Sequence, residues 1–304
     1  MFAFLFRHRY SLSLIAAAAC WGVATVVSKR ALDEIPPLTL LPIQLTASVG
    51  VLAIAVRAQR LRINWSPEMR RLGVLGVLNP GVSYALGLLG LSFISASLAV
   101  LLWAVEPLMI LILAWWLLGD RITTSMLAAS VLALTGVVLV VFESGSNGQA
   151  AGIALTLTGV AACAVYTVVA RKLIGSDSTL IVIMLQQTCA LVFSLALLAG
   201  ADLIGRSVAM RDVSAGAWVS AAMSGVLYYA FAYWFYLTGL RQIPAGVAGS
   251  FINLIPVFGI AAGHLFLDER LTGQQWLGAV VIVMAVGYIL ILSSDGSRVE
   301  TTVA

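Results

Sequence analysis

The segment from Gly90 to Thr123 returns in outline from Gly239 to Thr272, and this duplication constrains the fold more than any other feature. At a constant spacing of 149 positions, Gly90, Leu91, Ile94, Ala96, Ala99, Pro107, Leu118, Arg121 and Thr123 all recur without a gap. The spacing holds backwards as well, where Gly76-Val77-Leu78 matches Gly225-Val226-Leu227 and Tyr84 matches Tyr233. Nearer the start it is 142: Thr25-Val26-Val27 matches Thr167-Val168-Val169, and Gln44 and Thr46 match Gln186 and Thr188. Collinear matches of this kind describe one unit written twice, the second copy carrying seven extra residues before its third helix.

Apolar residues make up 61% of the 304 positions and charged residues 10%, a balance that water would not keep dispersed. Several apolar runs reach the roughly 20 residues that a helix needs to cross about 30 Å of hydrocarbon. The expected fold class is therefore an all-α integral membrane protein whose main partner is the lipid bilayer. Cys20, Cys163 and Cys189 all lie inside apolar runs and imply no disulfide framework. The net charge of +4 is spread over short loops and does not point to nucleic acid. Arg7 and Arg9 before an apolar run resemble a signal peptide, but the run continues to Val27, so the first helix is expected to stay attached.

Read in order, the chain predicts ten transmembrane helices: about 11–29, 38–56 and 72–91, the stretch 90–123 as the fourth, then about 124–142, 150–170, 179–199, 214–238, 244–267 and 273–292. The first five-helix repeat covers residues 1–142, a polar glycine-rich linker 143–149, and the second repeat 150–304. With the N-terminus inside, twelve Lys and Arg fall in inner segments and five in outer ones, which places both termini in the cytoplasm. Five helices per copy is an odd number, so the second copy enters the membrane from the opposite side. Inverted repeats of this kind are the layout of many secondary transporters, whose site lies near the midplane between the copies.

Those five-plus-five helices, the proline in helices 4 and 9, and the endings Asp120-Arg121-Ile122-Thr123 and Glu269-Arg270-Leu271-Thr272 resemble the drug/metabolite transporter superfamily, EamA type. The resemblance covers nearly the whole chain. It implies a basket of ten helices around a central cavity lined chiefly by helices 1, 3, 4, 6, 8 and 9, in which Trp21 and Tyr166 become candidates by helix membership. It also implies a transporter in a cell inner membrane, and many members export amino acids or related metabolites.

The duplication separates scaffold from chemistry. Gln44 with Thr46 and Gln186 with Thr188 occur in both copies and read as hydrogen-bonding scaffold. Gly259 and Gly263 read as close helix packing. Pro107 and Pro256 lie mid-helix in this reading and are either static kinks or hinges for alternating access. Glu106 stands where the second copy has Ile255. A carboxylate at mid-membrane costs roughly 2.5–3.5 kcal/mol on insertion scales, so it is expected to face a cavity or a partner. It is either a substrate-amine or proton-binding group, or a protonated packing residue. Trp103 shares its helical face.

Tyr229, Tyr233 and Tyr236 form a stripe on helix 8; the first two are expected to line a cavity with Tyr84, and Tyr236 fits an interfacial position. Asn253 is a further cavity candidate on helix 9, where it shares a face with an interfacial His264, and Asn79 beside Pro80-Gly81 either lines the cavity or satisfies loosened backbone. No cofactor or metal site is expected. An enzyme would need a clustered nucleophile, base or metal set, and no such motif stands out. The expected function is secondary transport of a small amphipathic metabolite, an amino acid or relative, with proton coupling as an option. Efflux of lipophilic cations is the alternative. Oligomeric state is not legible.

Overall fold

Uninterrupted apolar runs in lipid must satisfy their own backbone, and a helix does so within a single segment. In the computed structural model, which describes residues 2–63, 65–119, 124–141, 147–171, 178–203, 212–240, 251–252 and 254–302, every regular element described is helical. In chain order these are α1 (Phe2–Ala31), α2 (Pro37–Ala58), α3 (Pro67–Phe93), α4 (Ala96–Trp103 followed by Glu106–Leu118) and α5 (Thr124–Val141). The second half holds α6 (Asn147–Arg171), α7 (Thr179–Leu203), α8 (Ala215–Gly225, Val226–Phe231 and Ala232–Leu240 in unbroken succession), α9 (Ile255–Leu267) and α10 (Gly273–Thr302). Seven helices among the described residues are long and apolar enough to cross a membrane. The described part of α9, and α10 from Gly273 to Ala285, are apolar but shorter.

Boundaries differ from the sequence reading in several places, among them the start of α3 at Pro67 and the end of α10 at Thr302. The basic N-terminal stretch is already helical from Phe2. Asn147, Gly148 and Gln149, read as linker, form the first turn of α6, while residues 143–146 and the start of the expected ninth helix fall outside the described residues. Pro107 and Pro256 do not lie mid-helix: each sits in the first turn of a fresh segment, Glu106–Leu118 and Ile255–Leu267. The physical reason is the missing amide. Proline cannot bond the carbonyl four residues back, but the first turn has no such bond to lose. In α4 the chain bridges the break with a tighter turn, Val105 N donating to the Leu102 carbonyl at 3.2 Å.

The copies pack reciprocally. α1 lies against α8 and α9, as α6 lies against α3 and α4; α2 faces α7, and α5 faces α10. Glycines mark the tightest crossings. A Cβ on Gly76 would overlap the main chain of Gln186, and one on Gly225 would overlap the main chain of Gln44. Gly90 likewise abuts Gly152 and Thr156, and Gly239 abuts Tyr10 and Leu14. Each contact is repeated with its residues shifted by 149 or 142 positions. Gly259 and Gly263 bring α9 onto α4 at Val100 and Ser97, in keeping with their reading as close-packing residues.

Candidate functional site

Both third helices loosen at the same place. α3 passes through a wide π turn at Leu78–Val82 and α8 through one at Val226–Phe231. In α3 the cause is local: proline removes a donor, and Asn79 leaves helical geometry at φ −141° and ψ 118°. Its side chain stays occupied, Oδ1 accepting from Ser83 Oγ at 2.7 Å. The matching residue in α8 is Tyr228. A π turn rotates the following side chains relative to a regular helix, and such turns recur at functional sites.

Around these turns the aromatic residues meet. Tyr84 stacks on Trp103 with ring centroids 5.1 Å apart and 13° between planes, and meets Tyr228 and Tyr229 edge-on at 5.1 and 5.2 Å. Trp21 of α1 contacts Tyr233 at 5.4 Å and Tyr236 at 5.7 Å. Stacked and edge-on pairs of this kind add about 0.5–1.5 kcal/mol each beyond the area they bury.

A cavity of about 270 Å³ opens beside this cluster, between the start of α3, the end of α6, the start of α7 and the end of α8. Asn79, Tyr166, Gln186, Gln187, Tyr233 and Tyr236 supply most of its polar surface, and Leu72, Val182, Ile183 and Leu237 its apolar walls. Among the described residues, no charged side chain lines it. Charge comes from nearby. Glu106, at the break in α4, accepts a hydrogen bond from Cys163 Sγ at 3.3 Å, and Cys163 lies one turn before Tyr166 of the cavity wall.

The expected site residues are therefore divided. Asn79, Tyr166 and Tyr233 line the cavity. Tyr84, at 8% exposure, Tyr229, at 2%, and Trp21, at 8%, are packed behind it. Trp103 stacks on Tyr84, at the end of the segment that precedes the break in α4. Asn253 lies outside the described residues.

Tyr236, read as interfacial, belongs to the cavity wall. Gln186, read as scaffold, also lines it, and Gln187 was missed. Gln187 is tied on both sides, Oε1 accepting from Ser48 Oγ at 2.6 Å and Nε2 donating to the Tyr229 carbonyl at 2.9 Å. A signal for Gln186 was present in its partner: Tyr166 occupies a position where the first copy has Ala24.

A bundle of long apolar helices around an aromatic, amide-lined cavity defines a multi-pass membrane protein built to hold a small solute. The model of the EamA-like transporter family matches residues 8–142 and again 150–291, and the chain belongs to that family of membrane transporters. An uncharacterized transporter of Archaeoglobus fulgidus is 26% identical over 275 residues, covering 89% of this chain and 94% of the relative. Probable amino-acid metabolite efflux pumps of Escherichia coli and Salmonella typhimurium are 27% and 28% identical. These alignments cover 86% and 93% of this chain, and 88% and 93% of the respective relatives. One solved crystal structure superposes with a TM-score of 0.65 at 16% identity, covering 93% of this chain and 99% of its own. That last likeness concerns the fold.

Proposed function

We propose that this transporter exports a small amphipathic metabolite, an amino acid or close relative, across the inner membrane by alternating access between two inverted five-helix repeats. The observation that carries the reading is the cavity itself. It lies between helices of both copies and is walled by rings and amides, and one turn along α6 from its Tyr166 stands Cys163, the partner of the Glu106 carboxylate. Rings and a few hydrogen bonds hold a solute with an apolar body and a polar end. The names of the Escherichia coli and Salmonella typhimurium relatives point to the same substrate class.

The inverted arrangement is supported by the reciprocal packing of α1 with α8 and of α6 with α3, and by the paired π turns. In this reading the repeats cover residues 1–142 and 150–304, joined by 143–149, and both termini are cytoplasmic. Pro107 and Pro256, each opening a new segment, are the hinges, and Glu106 contacts the substrate amine or a coupling proton. No catalytic step is assigned. Transport in proteoliposomes against an amino-acid panel, with and without a pH gradient, tests the proposal. Uptake of amino acids supports it; uptake of lipophilic cations alone replaces it with multidrug efflux.

A further inference from the structure

Gln44 and Gln186 occupy matching positions 142 residues apart, yet the structure uses them differently. Gln44 Nε2 donates to Ser28 Oγ at 2.9 Å and to Ser224 Oγ at 2.8 Å, joining α2 to α1 and to α8. Its Oε1 is unpaired among the described residues, but Gln44 is no part of the cavity wall. Gln186 does stand in that wall. Its Oε1 accepts from the Tyr166 hydroxyl at 2.9 Å, while its Nε2 has no partner among the described residues although the residue is only 5% exposed. Leaving a buried amide hydrogen unpaired is unfavourable, and a donor kept in that state beside a cavity is ready for an acceptor that enters it.

A second polar anchor lies one turn away on α6. Tyr166 orients the Gln186 amide, and Cys163, three residues earlier, donates to Glu106 Oε1 at 3.3 Å. One face of α6 thus anchors an amide donor and a carboxylate, with a rise of about 4.5 Å between the anchoring residues. An α-amino acid carries the complementary pair, a carboxylate and an ammonium on one carbon.

We propose that Gln186 and Glu106 form a two-point site for the α-amino acid group. In it, Gln186 Nε2 donates to the substrate carboxylate and Glu106 accepts from its ammonium. The site rests on the transport reading above and gives it a substrate geometry. The side chain of the substrate then points toward Tyr233, Tyr236 and the apolar wall.

The test uses the purified full-length protein and three sets of compounds: L-alanine, L-leucine and L-phenylalanine, each with its decarboxylated amine and its deaminated acid. Binding is read from ligand-dependent shifts in thermal midpoint. The wild type should prefer each bound amino acid to both truncated forms. Gln186→Leu should lose about tenfold or more of the preference over the amine, the weight of one hydrogen bond to a charged group. Glu106→Gln should lose the preference over the acid instead.

A ligand-free comparison is independent of substrate. Gln44→Leu should lower the midpoint by several degrees, because it breaks two interhelical bonds, whereas Gln186→Leu, which breaks only the bond from Tyr166 and removes an unpaired donor, should lower it clearly less. Equal losses in the two variants would return Gln186 to the scaffold and overturn the proposal. Wild-type binding of the amines as tightly as the amino acids would overturn the two-point site and leave transport standing. Binding of none of the nine compounds would overturn both.

Discussion

The Glu269 carboxylate reaches from the loop after α9 to the first turn of α4, where Oε2 accepts from Ser97 N at 2.8 Å. Its other oxygen accepts from Ala96 N at 2.7 Å. Helix N-termini present unpaired amides and a partial positive charge, so one carboxylate satisfies both. The contact joins the two halves of the chain. Beside it, a Cβ on Gly263 would stand 2.7 Å from Ser97 Oγ and 2.8 Å from Glu269 Oε2, so glycine is what lets α9 come this close.

Glu269→Ala is expected to destabilise the protein by about 1–2 kcal/mol, the range for losing a helix cap with its charge. Glu269→Gln should retain part of that. Thermal unfolding in detergent checks both, and an unchanged midpoint for the alanine variant would show the cap to be idle.

Glu34 makes a similar contact with the start of α8. Its two carboxylate oxygens accept from Ser214 N at 2.7 Å and Ser214 Oγ at 2.8 Å, and these bonds hold its pKa below the usual 4.5. The folded protein therefore releases this proton more readily than the unfolded chain does. Stability from the contact is fully present above about pH 4.5 and is lost as pH falls through the lower folded value. Across that acidic window, the wild-type midpoint should fall more steeply than that of Glu34→Gln. Parallel curves would remove Glu34 from the linkage.

Gly76→Ala and Gly225→Ala should each cost about 1–3 kcal/mol or more, since the added carbon meets main chain that cannot rotate away. Gly200→Ala in α7, which meets nothing within 4 Å, is the control and should be neutral or mildly stabilising. Expression and thermal midpoint measure all three. Equal behaviour of the three variants would contradict the close crossings.

Glu106→Gln should weaken amino-acid transport about tenfold or more at every pH if the carboxylate holds the ammonium. Should it carry a coupling proton instead, binding would survive and dependence on a pH gradient would vanish. Tyr233→Ala should raise the apparent KM by removing a cavity wall, and Trp103→Ala should act indirectly through Tyr84. Wild-type kinetics in all three variants would move the site elsewhere.

Topology is checked by cysteine labelling. With both termini cytoplasmic, a membrane-impermeant thiol reagent applied outside should reach a cysteine placed at Ser146 and miss one placed at Arg60. The reverse pattern would invert the orientation.

Much of the architecture was legible in the linear chain. Apolar runs fix helix lengths through the thickness of hydrocarbon, and matches spaced by 149 and 142 positions expose the duplicated unit. Small residues such as Gly259 and Gly263 announce close crossings, because only a missing side chain lets two backbones approach. Even Glu106 could be singled out, since a carboxylate among apolar neighbours must be solvated by something.

What the tertiary structure decided is which partner each polar or aromatic group finds. Periodicity places Trp103 and Glu106 on one face, and the packed helices give Trp103 to Tyr84 and Glu106 to Cys163, on either side of the break at Ala104-Val105. Tyr229 and Tyr233 belong to one stripe in sequence, yet the first is buried among rings and the second borders open space. Gln44 and Gln186 look interchangeable until the helices crossing them are known: two serines take up the nitrogen of one amide, and a tyrosine and a cavity meet the other. A hydrogen bond or a void depends on residues distant in the chain, and that information exists only once the helices have packed.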